Sequence, residues 1–223
     1  FSGIEGEIQS SDFSFFRPVE WGTNKPIFYV ENLKFENPDL VLSVHGNISL
    51  SKSEVFTKIN GDILFKDPQV IFYYLPTTVG TKTRNWIKRA FLSGDIIKGT
   101  FEYGGIIGKP YIKKNRKVKF NFSPTSLNLL FSEKWPAISN LQGEVEIEGR
   151  SLKIKNASGD FAGNKVKNIN GQISNMKSDA PALKLNGILR GDLQRIIDSA
   201  NRSPVEKWLK NFTTDMTGRG PAD

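Results

Sequence analysis

A glycine recurs in the middle of an alternating strand pattern, and this repetition constrains the fold more than any other feature. Ile4-Glu5-Gly6-Glu7-Ile8, Val44-His45-Gly46-Asn47-Ile48 and Ile59-Asn60-Gly61-Asp62-Ile63 share one order: apolar, polar, glycine, polar, apolar. Leu92-Ser93-Gly94-Asp95-Ile96, Leu141-Gln142-Gly143-Glu144-Val145 and Ile169-Asn170-Gly171-Gln172-Ile173 repeat it, and Leu185-Asn186-Gly187-Ile188-Leu189 is a looser copy. Successive side chains of a strand point to opposite sheet faces, so each copy sets its apolar residues and its glycine on one side. A glycine inside a strand weakens it and leaves a gap at which a sheet can bend inward. The copies are irregularly spaced, which excludes a fixed-period solenoid. They read as equivalent strands of one curved sheet.

Other segments carry the same period of two. Leu40, Leu42, Val44, Ile48 and Leu50 alternate with polar residues, as do Val118, Phe120 and Phe122, and Leu152 and Ile154. Turn chemistry separates them at Asn37-Pro38-Asp39, Lys66-Asp67-Pro68, Glu148-Gly149-Arg150 and Ser178-Asp179-Ala180-Pro181. Short strands at short intervals indicate an antiparallel meander. Three stretches instead show helical spacing. Thr81 to Phe91 sets Trp86, Ile87, Ala90 and Phe91 largely opposite Lys82, Arg84, Lys88 and Arg89. Asp192 can cap a second helix carrying Leu193, Ile196 and Ile197, and Ser203-Pro204 opens a third with Val205, Trp208 and Leu209. The expected fold is mostly β, a strongly curved antiparallel sheet with about three short amphipathic helices. Residues 1–212 read as one continuous segment, divisible into 1–75 and 76–212, followed by a loose tail at 213–223.

The chain has no cysteine, which excludes disulfides, thiolate catalysis and cysteine-ligated metal. It has no apolar run of membrane-spanning length, and it begins at Phe1, so it reads as a piece of a longer protein anchored elsewhere. The net charge is +8, densest at Lys109 to Lys119 with Lys113, Lys114, Arg116 and Lys117. Such a run is a solvated hairpin tip or a contact for anionic lipid headgroups and membrane surfaces. It lacks the interleaved aromatics of a nucleic-acid groove, so no nucleic-acid partner is expected.

Catalytic sets are missing. The single histidine, His45, lies on a polar strand face with no metal-ligating companions. Gly104 to Pro110 has the wrong glycine spacing for a phosphate loop, and Pro110 stands where a hydroxyl residue is needed. Glu144, Glu146 and Glu148 form one wet strand face. Neither an enzyme nor a cofactor is expected. What remains is a large one-faced apolar surface with few helices to cover it. A sealed β-sandwich that scaffolds protein partners satisfies the alternation, and on pattern alone is the favoured reading. A sheet left open for lipid satisfies it too.

Two segments tilt the choice. One runs Tyr74-Leu75-Pro76, Asn85-Trp86-Ile87-Lys88-Arg89-Ala90-Phe91, then Ser93-Gly94-Asp95 and Gly99. The other runs Trp135-Pro136, the Leu141 to Val145 copy, Leu152-Lys153-Ile154 and Ala162-Gly163, closing with Leu189-Arg190-Gly191-Asp192-Leu193 and Ser203-Pro204. Over roughly residues 59 to 210 this succession resembles the AsmA-like superfamily, in particular its very large YhdP-type members from Gram-negative bacteria. The resemblance implies a bridge-like lipid transfer protein: an open, taco-like β trough in the periplasm, held to the inner membrane by parts outside this chain. It implies passive conduction of phospholipids between inner and outer membranes in support of the outer-membrane barrier, with neighbouring repeats of the same protein as partners. Its lining would be drawn from Ile59, Ile63, Phe65, Phe120, Phe122, Leu141, Val145, Ile147, Leu152 and Ile154. Trp86, Phe91 and Trp208 are expected to dock their helices on the sheet or to plug an end of the trough.

Overall fold

The computed structural model describes residues 7–16, 26–50, 54–75, 79–107, 116–178, 180–209, 212–213 and 215–222. The strands are β1 (Glu7–Phe16), β2 (Ile27–Glu36), β3 (Leu40–Leu50), β4 (Val55–Phe65), β5 (Phe91–Ser93), β6 (Ile97–Ile107) and β7 (Lys117–Pro124). They continue as β8 (Leu127–Leu129), β9 (Ile138–Glu148), β10 (Ser151–Phe161), β11 (Asn164–Ile173), β12 (Lys184–Asp192) and β13 (Pro221–Ala222). The helices are α1 (Ile71–Tyr74), preceded by a 3₁₀ turn at Pro68–Val70, α2 (Thr81–Ala90), α3 (Leu193–Asn201) and α4 (Val205–Trp208). The strand order is β1-β2-β3-β4-β6-β7-β9-β10-β11-β12-β13, with β8 beside β9 and β5 beside β8. The fold is therefore mostly β, one large antiparallel sheet that does not close into a barrel, with few short helices.

Two compact units partition the chain, each drawing on several segments. The first comprises Phe1–Lys66, Lys98–Phe122 and Glu146–Ser151. Its register follows the alternation: Leu40 pairs with Phe65, Leu42 with Ile63, Val44 with Gly61 and Gly46 with Ile59. Phe35 and Leu33 of β2 continue these rows opposite Leu42 and Val44. The β2–β3 turn is fixed by Asn37, 8% exposed, whose Oδ1 accepts from the Asp39 and Leu40 amides at 3.0 and 2.9 Å. That is the local bond an Asn-Pro-Asp sequence favours. Between Val30 and Leu33, β2 carries an extra residue against Gly46 and Val44, a bulge that bends and twists the pair.

The second unit comprises Asp67–Ile97, Ser123–Val145 and Leu152–Asp223. Asp67 sits where a simple turn was expected, and its carboxylate instead caps the 3₁₀ turn by accepting from the Gln69 amide at 2.8 Å. Helix α2 docks as its spacing predicts. Ala90 is fully buried, Trp86 Nε1 donates to the Phe131 carbonyl at 2.9 Å, and the Trp86 ring meets Phe91 edge-on at 6.2 Å. Helix α3 is capped by Asp192 and buries Ile197. Below it Asn164, 1% exposed, donates through Nδ2 to Ser199 Oγ at 2.8 Å. Helix α4 departs from expectation: Trp208 is 75% exposed, and its neighbours Leu209 and Phe212 are exposed too. A stripe spaced for a helix shows which side is apolar, not whether anything covers it. The segment after Thr213, expected loose, is tied back: Pro221 pairs with Asp192, Ala222 with Gly191, and the Leu193 amide donates to the Gly220 carbonyl at 2.8 Å.

Three strands of this unit share a device absent from the sequence reading. Asn140 in β9, Asn156 in β10 and Asn168 in β11 have φ of 52°, 50° and 53°, the left-handed region that asparagine tolerates best after glycine. Register shifts flank Asn156 and Asn168, so each sits in a bulge. The Asn156 amide is satisfied there by Asn170 Oδ1 at 3.1 Å, and the Asn140 amide by Asn128 Oδ1 at 3.2 Å.

Candidate functional site

The recurring glycines among the described residues do not leave holes. At Gly61 a β-carbon would strike the Phe101 ring 2.6 Å away, and at Gly99 it would strike the Phe122 ring at 2.7 Å. At Gly171 it would collide with the Leu185 side chain. In each case the neighbouring strand's large apolar side chain lies across the glycine. At Gly143 the neighbour is backbone: φ is +148° and the β-carbon position is 2.7 Å from Ala157 Cα. The glycines thus let side chains and strands close over one another, in place of the expected open gaps.

In the first unit this gives a continuous apolar face. Ile59 and Ile63 share β4 with Gly61, and Phe120 and Phe122 of β7 stack with centroids 5.9 Å apart and rings 7° from parallel. Phe101 lies 6.5 Å from Phe120. Ile147 belongs to this unit and alternates with Glu146, which pairs with Lys119 at 3.5 Å on the polar side. All of these apolar residues except Phe65 are only half-buried. Phe65, 4% exposed opposite Leu40 at 3%, is core and unavailable to a ligand.

In the second unit Leu141 pairs with Leu127, Leu152 with Ile173, and Ile154 with Gly171, which itself pairs with Leu185. Leu141, Val145, Leu152 and Ile154 are again half-buried, and Leu185 is 52% exposed. An open cavity of about 380 Å³ is lined by Ile154, Gly171 and Leu185 together with Lys153, Lys155, Asn170, Gln172, Lys184 and Asn186. Buried apolar residues among the described ones are Leu40, Phe65, Ile71, Ala90, Ile97, Leu127, Ala157 and Ile197. Ile71, Ala90 and Ile197 are on the helices themselves, Leu127 is on the short β8, and Leu40, Phe65, Ile97 and Ala157 are on long strands.

The basic run divides. Lys113 and Lys114 lie outside the described residues. Lys117 pairs with Glu102 at 3.3 Å, whereas the Arg116 guanidinium sits 5.4 Å from the centroid of the Tyr103 ring. His45 is exposed, and no cluster of His, Asp or Glu suited to a metal ion occurs among the described residues. No helix of the described residues is long and apolar enough to cross a membrane. Asp160 lies at the end of β10. Hydrogen bonds from Asn140 and Lys165 hold its carboxyl below the usual carboxylate range.

Residues 17–223 match the family model described as YhdP protein. No curated protein and no solved structure matches the chain.

Proposed function

The chain belongs to the YhdP family, and we propose that it is one section of a periplasmic bridge along which phospholipids pass between inner and outer membranes. Membership of that family suggests a role in lipid transport or envelope maintenance. The observation that carries the finer reading is the half-burial of the apolar strand faces. Ile59, Ile63, Phe120, Phe122 and Ile147 in one unit, and Leu141, Val145, Leu152 and Ile154 in the other, keep part of their surface accessible. A sheet face of this kind needs a cover, and acyl chains supply one. An acyl chain in water costs about 0.8 kcal/mol per CH₂, so a sixteen-carbon tail faces roughly 12 kcal/mol in unassisted transit. An apolar face removes most of that barrier while the headgroup stays in water. The section acts passively and is no enzyme: side chains lower the barrier, and neither direction nor energy is supplied by this chain. Membrane attachment and neighbouring repeats belong to other parts of the protein.

The test begins with the chain purified without detergent, extracted with organic solvent and assayed for co-purified phospholipid by mass spectrometry. Val145→Glu and Phe120→Lys place charge on the lipid side. Both are expected to lose the bound lipid, and in the full-length protein to weaken the outer-membrane barrier, while the β-sheet circular dichroism persists. A chain that carries no lipid, together with unimpaired barrier function in both variants, refutes the proposal and favours a protein-binding scaffold.

A further inference from the structure

The aromatic row of the first unit ends on a cation. In β6, Gly99 and Phe101 lie on the face shared with Phe120 and Phe122 of β7, and Tyr103 continues that parity. The opposite face is marked by Asn121 Nδ2 donating to Thr100 Oγ1 at 3.1 Å and by the Lys117–Glu102 pair at 3.3 Å. Residue 116 continues the even-numbered row of β7, and the Arg116 guanidinium carbon lies over the Tyr103 ring, 5.4 Å from its centroid. Two basic residues adjacent in sequence therefore part company. Lys117 is neutralised on the polar side. Arg116 is exposed at the end of the aromatic side, where it makes no ion pair among the described residues. The Tyr103 hydroxyl is engaged with the Ile106 carbonyl at 3.4 Å, so the ring serves as a platform and the guanidinium is the free donor.

We infer that Arg116, held on Tyr103, binds the phosphate of a phospholipid whose acyl chain lies along Phe101, Phe120 and Phe122. This rests on the reading of that face as lipid-bearing. A guanidinium placed over a ring by cation–π attraction still has N–H donors for a planar, two-pronged contact with phosphate oxygens. The dimensions agree. Six residues separate Arg116 from Phe122, about 20 Å at about 3.3 Å per residue. One acyl chain spans half of a bilayer core about 30 Å thick, or about 15 Å. A phosphate at Arg116 thus leaves its chain within the aromatic row.

Native mass spectrometry from mild detergent can compare a dipalmitoyl phosphatidylglycerol with dipalmitoylglycerol, which has the same chains and no phosphate. The wild-type chain is expected to prefer the phospholipid by about tenfold, the scale of one charge-assisted contact. Arg116→Gln is expected to erase that preference while binding dipalmitoylglycerol as before, and Arg116→Lys to restore part of it. A preference that survives Arg116→Gln overturns the assignment. So does inorganic phosphate alone occupying the wild type as tightly as the phospholipid, because the aromatic row would then contribute nothing. Failure of the wild type to bind either lipid is a separate result, since it removes the lipid-bearing face itself.

Discussion

Gly143→Ala tests the reason for a glycine in mid-strand. The native φ of +148° is one that L side chains rarely adopt, and holding a residue in such a region costs of order 1–3 kcal/mol. The added methyl would also lie 2.7 Å from both Cα and Cβ of Ala157, and the Cα cannot rotate aside. Forcing strands apart by that amount is overpacking, about 1–3 kcal/mol. Against these stands a gain of about 0.4–1 kcal/mol from a less flexible unfolded chain. The net expectation is a loss of about 2–4 kcal/mol. With a urea slope of about 2–3 kcal/mol per molar, the midpoint falls by roughly 1 M. Two companions separate the causes. Gly163 has φ of +82° but open space around it, so Gly163→Ala carries only the conformational cost, about 1–2 kcal/mol. Gly104 has neither a positive φ nor a contact closer than 3.9 Å, so Gly104→Ala should leave the midpoint level or slightly raised. The assay is urea unfolding followed by far-ultraviolet circular dichroism. If Gly143→Ala is no worse than Gly163→Ala, the approach of Ala157 is not what excludes a side chain, and the closed-strand account fails.

Two other perturbations follow from single contacts. Asn164→Ala removes the Nδ2 donor that reaches Ser199 Oγ at 2.8 Å and the Arg195 carbonyl at 3.3 Å beneath α3. It should cost about 2–3 kcal/mol and raise amide exchange in α3 ahead of the strands; unchanged protection in α3 would show that this bond does not hold the helix. Asp160 has its carboxyl pKa lowered in the fold, so its contribution is present above the ordinary carboxylate range and lost as pH falls through the folded value. Asp160→Asn should therefore lower the thermal midpoint at neutral pH, and the difference from wild type should vanish in acid once the native carboxyl is protonated. A deficit that persists unchanged into acid would rule out the pairing with Lys165 as its source.

The period of two made the strands legible, because alternation is a property of each segment alone and needs no knowledge of its neighbours. Helices α2 and α3 were legible for the same kind of reason: Trp86, Ile87 and Ala90 share one side, and Asp192 offers its own cap. What a glycine faces is a property of the next strand, however distant in sequence. Phe101 lies 40 residues beyond Gly61, and nothing local foretold that its ring would fill the space. The asparagine bulges were closer to legible. Asn140, Asn156 and Asn168 each stand three residues before Gly143, Gly159 and Gly171, a spacing that pairs the residue most tolerant of left-handed backbone with one that permits close approach. Trp208 was misread because helical spacing is blind to whether a stripe has a partner.

The candidate site turns on a distinction that alternation cannot make, between an apolar face sealed by protein and one sealed by something else. The strand order narrows it. A sandwich is built of two sheets, and among the described residues the long strands fall into one hydrogen-bonded order, with β5 and β8 the short additions off the path. Burial narrows it further. Leaving Val, Leu, Ile or Phe side chains partly accessible forfeits a share of the roughly 1.5–3 kcal/mol each would give when fully covered. A chain folding only for stability would bury Phe120 and Phe122 as it buries Phe65 and Leu40. It instead stacks the two rings 5.9 Å apart beside a third, lays one ring across Gly99, and leaves all of them partly accessible. Under the proposed function, rings set over glycines would hold a hydrocarbon chain by contact area along the strand face.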